Sequence, residues 1–516
     1  MRASSELSLD NLNLSTFRAF LSPSAPGLLA FTGGLLLLLY GYEIFNFTLS
    51  IDEEMFLNRN DWARMVVGHG RWGTALLTRI FPPFGNIPMI STILFCVGVG
   101  FSAYVLARIF FRKHAAQYAF AGIFVAYPIW PHIAEFSISA WCVGIGCALL
   151  TFCLLLFLAE HRLADILAAV LLAFAMGITE TFCVWFLVLL CIRHISVMLD
   201  TAGSDATPSK RQLPWLRAGI ITLGALLLYF VVQRLSLKLA IHRLDYVQGL
   251  VRLDYFFASP ALAIRRTLGQ CFTVLSGYHR IFLGYGPMVM LLPLIGFLII
   301  VVQLLRRGSL TISERLLTGS LLVAAFLFAL SPTLVTAGGV PIRALIALAP
   351  LIAFLAAISF SKSLRLVKPL YVVLAVTLFI SIWINVSLFY TDNLVRQRDQ
   401  VLATRIMTRV DSILPNPPPG KIPFVIVAAR PWTTEANFQK VEIFGDSYFD
   451  TSHEGGNPAR LAAYLRTLGV NTLAPRRLAD AVQHRDVIAA MPIWPAAGSV
   501  AMVEGILVIK LGPGAP

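Results

Sequence analysis

Long apolar runs separated by short polar segments fill the first three quarters of the chain. They lie near 28–48, 88–110, 118–134, 138–158, 164–178, 181–197, 218–236, 286–305, 317–335, 344–360 and 369–390. Several approach or exceed the roughly 20 apolar residues that cross a bilayer. The pattern therefore predicts about eleven transmembrane helices, with "AFAMGITETFCVWF" divided into a helical hairpin around Gly177–Thr181. The runs are continuous, which excludes an outer-membrane barrel, whose strands alternate apolar and polar positions.

Beyond residue 390 the pattern changes, and 391–516 reads as a separate small α/β domain. "KIPFVIVAA" has the composition of a strand. "NPARLAAYLRTLGV" reads as a helix with Asn457 as N-cap, Pro458 in the first turn and Gly469 as its stop. "SVAMVEGILVIKLG" is two apolar runs about Glu504 and Gly505, the pattern of a hairpin. The division is a segment 1–27, a transmembrane domain 28–390 and the C-terminal domain 391–516. No internal repeat or low-complexity segment stands out.

Composition agrees with the pattern. The chain has 516 residues, 57% of them hydrophobic and 13% charged, against roughly 25% charged in ordinary globular domains. Its formal charge of +14 gains meaning from position. With the N-terminus cytoplasmic, the inward loops "RIFFRK", "EHRLAD", "RHISVMLDTAGSDATPSKRQLPWLR", "LLRRGSLTISER" and "SKSLRLVK", with the N-terminal segment, hold 16 of the 41 Lys and Arg residues. Two short outward loops, near 129–137 and 177–181, hold none, as the positive-inside rule requires. Two long outward segments, 49–87 and 237–285, do carry arginines and read as structured. An odd number of spans puts the C-terminal domain outside. Arg2 and Arg18 precede the first span and no A-x-A-like site follows it, so this end reads as a retained signal anchor. The seven cysteines form no CxxC and six lie in apolar spans, which supports neither a disulfide framework nor a zinc site. No basic, aromatic-interleaved soluble stretch points to nucleic acid.

The candidate chemistry begins where the first span ends. In "SIDEEMFLNRNDWARMVVGHGRWG", Asp52, Glu53 and Glu54 emerge outside. One such acid can take the proton of an attacking hydroxyl, or the acids can hold a divalent cation against a phosphate. They can also serve only as a solvated helix end. Trp62, Met65 and Val66 share a helical face from which Arg59 and Arg64 stand apart, the pattern of a helix lying on a membrane surface. Arg71 and Trp72 sit between Gly70 and Gly73, a guanidinium to grip phosphate and a ring to stack on sugar or anchor at the interface. Further outward cations are Arg265, Arg266, His279 and Arg280 in one segment and Arg343, after Pro341, in another. Several arginine sites and one carboxylate cluster suit an anionic lipid-linked substrate. His132, Glu135 and Glu180 at outward turns are candidates for acceptor hydroxyls. No Gly-rich phosphate loop lies on the inward side.

The order "SIDEE", then a tryptophan, then "GRWG", with a late "PIR…P" turn and a tail ending "MPIWPAAGSVAMVEGILVIKLG", resembles the glucosyltransferase family of serotype-converting O-antigen enzymes. That resemblance implies a GT-C-like polytopic enzyme of the bacterial inner membrane, with segments 49–87, 237–285 and 391–516 periplasmic. It implies a polyprenyl-phosphate glucose donor and a lipopolysaccharide O-antigen acceptor. It maps the catalytic carboxylate onto Asp52 or Glu53, only one of which is expected to face the acceptor. Arg71, Arg343 and one of Arg265 and Arg266 would hold the donor phosphate. Glu54, Trp72, His132, Glu135, Glu180 and His279 would line the substrate. The implied reaction is an inverting single displacement, and a donor with one phosphate dispenses with a metal or other cofactor. The turn "GITET" departs from the Tyr-Gln expected in many relatives and leaves the acceptor and the sugar open. The competing readings are a flippase or transporter of lipid-linked sugars and an O-antigen polymerase-like enzyme. No inverted repeat with paired broken spans supports the transporter.

Overall fold

The computed structural model describes residues 26–55, 59–81, 87–201, 214–239, 253–306, 310–362, 367–416, 420–428, 440–450 and 458–513. Asn457, the side chain of Arg59 and most of the inward loop near 201–213 lie outside these. The described chain is mostly helical and divides into two compact units. Unit 1 takes in Met1–Phe45 and Arg59–Val386; unit 2 takes in Asn46–Asn58 and Ser387–Pro516.

Among the described residues of the whole chain, seven helices are long and apolar enough to cross a membrane: Pro26–Phe45, Met89–Phe110, Ser137–Leu158, Thr181–Asp200, Trp215–Lys238, Ile312–Val335 and Lys368–Ile413. Other predicted runs are broken or shorter. The run 118–134 stops as a helix at Ala126, and a separate turn of helix covers Pro131–Ala134. The run 286–305 divides into Gly286–Val289 and Leu291–Leu305, and 344–360 opens with a 3-10 turn at Ile342–Leu345. The hairpin at Gly177–Thr181 is present as helices Arg162–Ile178 and Thr181–Thr201.

Helices of unit 1 meet through small residues, which bring backbones together where lipid supplies no hydrophobic drive. Gly98 and Gly144 face each other so closely that neither position has room for a Cβ. An aromatic cluster fills the space beyond. Trp130 lies within 6.0 Å of the Phe95, Phe124 and Trp185 rings, and its indole N–H donates to the Phe124 carbonyl at 2.6 Å.

Unit 2 is built on a four-stranded sheet in the order β2 (Leu473–Pro475), β1 (Ile422–Val427), β4 (Ile506–Lys510), β3 (Val500–Val503). The central β1 runs parallel to both neighbours, while β3 and β4 form an antiparallel hairpin. Glu504 and Gly505 both take positive φ, as a two-residue hairpin turn demands. Side chains alternate along β1. Ile422, Phe424 and Ile426 join a core with Leu402, Ile406, Leu461 and Tyr464, while Val425 and Val427 face Ala481 and Ile488. Both faces are covered, which explains the unbroken apolar run of "IPFVIV". Lys510 is buried because its ammonium donates to the carbonyls of Ile488, Ala489 and Met491.

Unit 2 resumes at Ser387, four residues before the expected start at 391, inside one unbroken helix that runs from Val367 to Ile413 and carries Leu402, Ala403, Ile406 and Val410 into the core of unit 2. The first outward acids also belong to unit 2, although they sit more than 300 positions earlier in the chain than that helix tail. Apolar periodicity marks where a helix is covered, and carries no signal for a loop that joins a distant core through one isoleucine.

Candidate functional site

In unit 2 the loop after Phe45 is fixed by backbone contacts before its acids come into play. Tyr448 donates its hydroxyl to the carbonyls of Leu49 and Ser50, at 3.2 and 3.0 Å, and Ile51 enters the core beside Leu402 and Tyr448. A 3-10 turn follows over Glu53–Met55. Its start is closed from both sides: the Glu53 N–H donates to the Ser50 carbonyl, and the Ser50 N–H donates to Glu53 Oε2 at 3.1 Å. The Glu53 carboxylate is thereby used to hold the turn. Asp52, between them, is held at φ +87°, a left-handed conformation that costs a non-glycine residue energy and is concentrated at functional sites.

Arg460, on the helix Pro458–Thr467, reaches two of the three acids. Its Nη2 lies 2.8 Å from Asp52 Oδ1 and its Nη1 2.8 Å from Glu54 Oε1. The fork that commonly grips one carboxylate here spans two. Exposure separates the acids: the Asp52 side chain is 51% exposed and that of Glu54 not at all. Glu54 Oε2 is buried with no hydrogen-bond partner among the described residues. Burial pushes the Glu54 carboxyl up to about 7, with Arg460 opposing the rise and the Asp52 charge adding to it. A second buried network lies behind. Arg396 pairs with Asp399 at 2.7 Å and stacks 4.2 Å over the Tyr448 ring, and Tyr448 stacks on Tyr464 at 4.1 Å.

Unit 1 holds the other expected residues, in three groups. In the first, the helix Arg59–Gly68 ends, Gly70 turns the chain at φ +83°, and Arg71 precedes the helix Trp72–Ile80. A Cβ on Gly70 would stand 2.5 Å from the Gln233 amide nitrogen and 3.4 Å from Glu180 Oε1, so the absent side chain leaves this polar group room. Tyr229 donates to Glu180 Oε1 at 3.4 Å, and Arg71 acts electrostatically on the same hydroxyl. Trp72 is half-buried, its ring packed over Gly177 and edge-on to Phe174 at 5.7 Å.

The second group joins His132 and Glu135, both buried on the Pro131–Ala134 turn and its end, to Arg343, which lies 5.0 Å over the Phe136 ring. Burial holds the His132 imidazole neutral, and the positive charge of Arg343 and the nearby His279 act in the same direction.

The third group surrounds a cleft of about 560 Å³. Tyr255, Arg266, Gln270, Thr273 and His279 line it with the backbone of Thr336–Gly339. Arg266 lies 5.4 Å over the Tyr255 ring, and Gly338, at φ +78°, packs on the Arg266 backbone where a Cβ would stand 2.6 Å from its carbonyl carbon. Gln270 ties the helix Pro260–Ser276 to the glycine loop by donating to the Val340 carbonyl at 2.8 Å. His279 Nδ1 accepts from the Ile281 N–H. Arg265 and Arg266 are both exposed, and of the two Arg266 lines the cleft.

Within unit 2 the cation paired with the first-loop acids is Arg460; Arg71, Arg266 and Arg343 are residues of unit 1. Arg460, Tyr448, Tyr229, Gln233 and the Thr336–Gly339 loop were not singled out from the sequence. Arg460 had a signal: it stands four residues before Tyr464 on a helix whose Leu461, Tyr464 and Leu465 are buried, so a charge occupies an inward stripe.

Residues 41–360 match the model of a family described as glucosyl transferase GtrII. The matched segment includes Asp52, Glu53, Glu54, Arg71, Glu180, Arg266 and Arg343, and ends before Arg460. No curated protein and no solved structure matches the chain.

Proposed function

The chain belongs to the GtrII glucosyl transferase family, the serotype-converting glucosyltransferases, and we propose that it moves a glucosyl group from a polyprenyl-phosphate donor to a periplasmic glycan. The acceptor class is lipopolysaccharide O-antigen, and the enzyme works at the outer face of the bacterial inner membrane with its N-terminus cytoplasmic and unit 2 periplasmic. Asp52 is the general base. The observation that carries this assignment is the difference among three adjacent acids. Glu53 is spent on the Ser50 N–H, Glu54 is fully covered, and Asp52 is half-exposed with one oxygen held by Arg460.

In the reaction the Asp52 carboxylate takes the proton of an acceptor hydroxyl as its oxygen attacks the anomeric carbon. The new C1–O bond forms as the bond from C1 to the phosphate oxygen breaks, and the electron pair leaves on polyprenyl phosphate. The growing phosphate charge calls for fixed cations. Arg266 with the glycine loop, Arg343 and Arg71 supply them, and Glu180, Trp72, His132, Glu135 and His279 bind sugar hydroxyls or orient those cations. A retaining route would need a second carboxylate at the anomeric carbon. The buried, arginine-bound state of Glu54 supports single displacement with inversion instead.

Mass spectrometry of O-antigen from cells with and without the protein tests the proposal. A gain of one hexose per repeat is expected. Unchanged glycan together with an altered transbilayer distribution of lipid-linked sugar would select a transporter.

A further inference from the structure

Resting on the assignment of Asp52 as base, we infer that Arg460 is a positioning residue, which sets the catalytic carboxylate of the first loop from a helix near the other end of the chain. Three observations lead there. Both terminal nitrogens of Arg460 are committed to different carboxylates at 2.8 Å, and its side chain is only 9% exposed, so its orientation is determined. Asp52 sits at a positive φ that its own sequence does not favour, and the ion pair supplies an external hold on that conformation. The helix carrying Arg460 is itself fixed, since Leu461 and Tyr464 lie in the core of unit 2 and Tyr464 stacks on the Tyr448 ring whose hydroxyl binds the Leu49 and Ser50 carbonyls.

The arrangement solves a chemical difficulty. Asp52, Glu53 and Glu54 are adjacent acids, and their charges oppose one another. The groups that bear on Glu54 are Arg460 and Arg396, which favour its anion, and Asp52, which opposes it; Tyr448, close to both Glu53 and Glu54, is neutral. A guanidinium between Asp52 and Glu54 allows them to lie together while leaving Asp52 Oδ2 outside that pair. Lysine cannot reproduce this, because an ammonium has no planar fork to span two carboxylates. Arg460 lies beyond the matched residues 41–360, in unit 2.

The test uses the full-length protein in nanodiscs with undecaprenyl-phosphate glucose and purified lipopolysaccharide, comparing wild type, Arg460→Met, Arg460→Lys and Asp52→Asn. A mispositioned base costs about 10- to 100-fold in rate. Arg460→Met should therefore lower kcat by that factor while the KM for donor stays within about twofold. Arg460→Lys should fall between it and wild type. In parallel, dicyclohexylcarbodiimide, which attacks protonated carboxyls in apolar surroundings, reads Glu54 by mass spectrometry at each pH. Its labelling midpoint should move upward in Arg460→Met. Wild-type kcat in Arg460→Met, or an unmoved midpoint, overturns the inference. Should Arg460→Met not fold, Arg460→Lys decides: wild-type kcat there also overturns it. If Asp52→Asn turns over like wild type, the base assignment has failed instead, and the Glu54 midpoint still reports whether Arg460 governs the cluster.

Discussion

Arg460 Nη2 stands 2.8 Å from Asp52 Oδ1, joining residues 408 positions apart in the chain. The contact makes the first outward loop part of the same folded unit as the C-terminal sheet. A carboxylate at the end of a transmembrane helix would otherwise share the mobility of an exposed helix end, and base catalysis requires an oxygen held within hydrogen-bond reach of the hydroxyl it serves.

Asp52 and Glu53 are neighbours with separable roles. Asp52→Asn should lower transfer by about 10²- to 10⁴-fold, the usual contribution of a general base, with little change in melting temperature. Glu53→Gln should retain most turnover but melt lower, because the neutral amide is a weaker acceptor for the Ser50 N–H that closes the 3-10 turn. Turnover and melting of the two variants, measured side by side, check the division. The reverse pattern would make Glu53 the base.

Glu54 predicts a pH dependence of stability with a definite sign. Its carboxyl titrates near 7 in the folded protein against an ordinary 4.5, so the folded state keeps a proton that the unfolded chain has lost over that interval. Stability from this group is fully present below pH 4.5 and declines as pH rises toward 7. Melting temperature in detergent should therefore show a downward contribution between these values, and Glu54→Gln, which cannot ionise, should flatten it.

The parts of the molecule that the sequence discloses are those governed by local period. Helices, the Gly177–Thr181 turn, the β1 run and the hairpin about Glu504 and Gly505 each carry their signal within a few residues. The acids were conspicuous for the same reason, since charge beside a membrane span is costly and stands out. Their partner was not, because pairing across 406 or 408 residues leaves no mark in either segment alone. Arg265 and Arg266 are adjacent and alike in sequence, and only their phase on the helix Pro260–Ser276 puts Arg266 on the cleft wall. The passage from unit 1 to unit 2 at Ser387 leaves no break in the helix Val367–Ile413, because a helix can leave one core and enter another without changing its hydrogen bonding.

Arg266 should act on donor use. It lines the cleft with His279 and the backbone of Thr336–Gly339, and a hydrogen bond to a charged group contributes roughly 1.5–3 kcal/mol. Arg266→Ala should therefore raise the KM for polyprenyl-phosphate glucose by about 10- to 100-fold, and Arg265→Ala by much less. Gly338→Val should reproduce part of the Arg266 loss without touching a charge, since its Cβ would press on the Arg266 backbone at 2.6 Å. Donor titrations of the three variants check this, and equal effects at Arg265 and Arg266 would remove the cleft from donor binding.

The sidedness of unit 2 decides whether the reaction has access to its substrates. The inward loops carry Lys and Arg while the short outward loops near 129–137 and 177–181 carry none, and positively charged short loops are retained on the cytoplasmic side during insertion. Met55, exposed beside the acid cluster, and Glu504, at the tip of the β3–β4 hairpin, both belong to unit 2 and should face the periplasm. Met55→Cys and Glu504→Cys, in a background lacking the seven native cysteines, should react with a membrane-impermeant maleimide once the outer membrane alone is opened. Arg162→Cys, within the inward segment "EHRLAD" at the start of the helix Arg162–Ile178, should react only after the inner membrane is permeabilised. Labelling in the opposite order would place the three acids among cytoplasmic nucleotide sugars, and a polyprenyl-phosphate donor presented from the periplasm could not reach them.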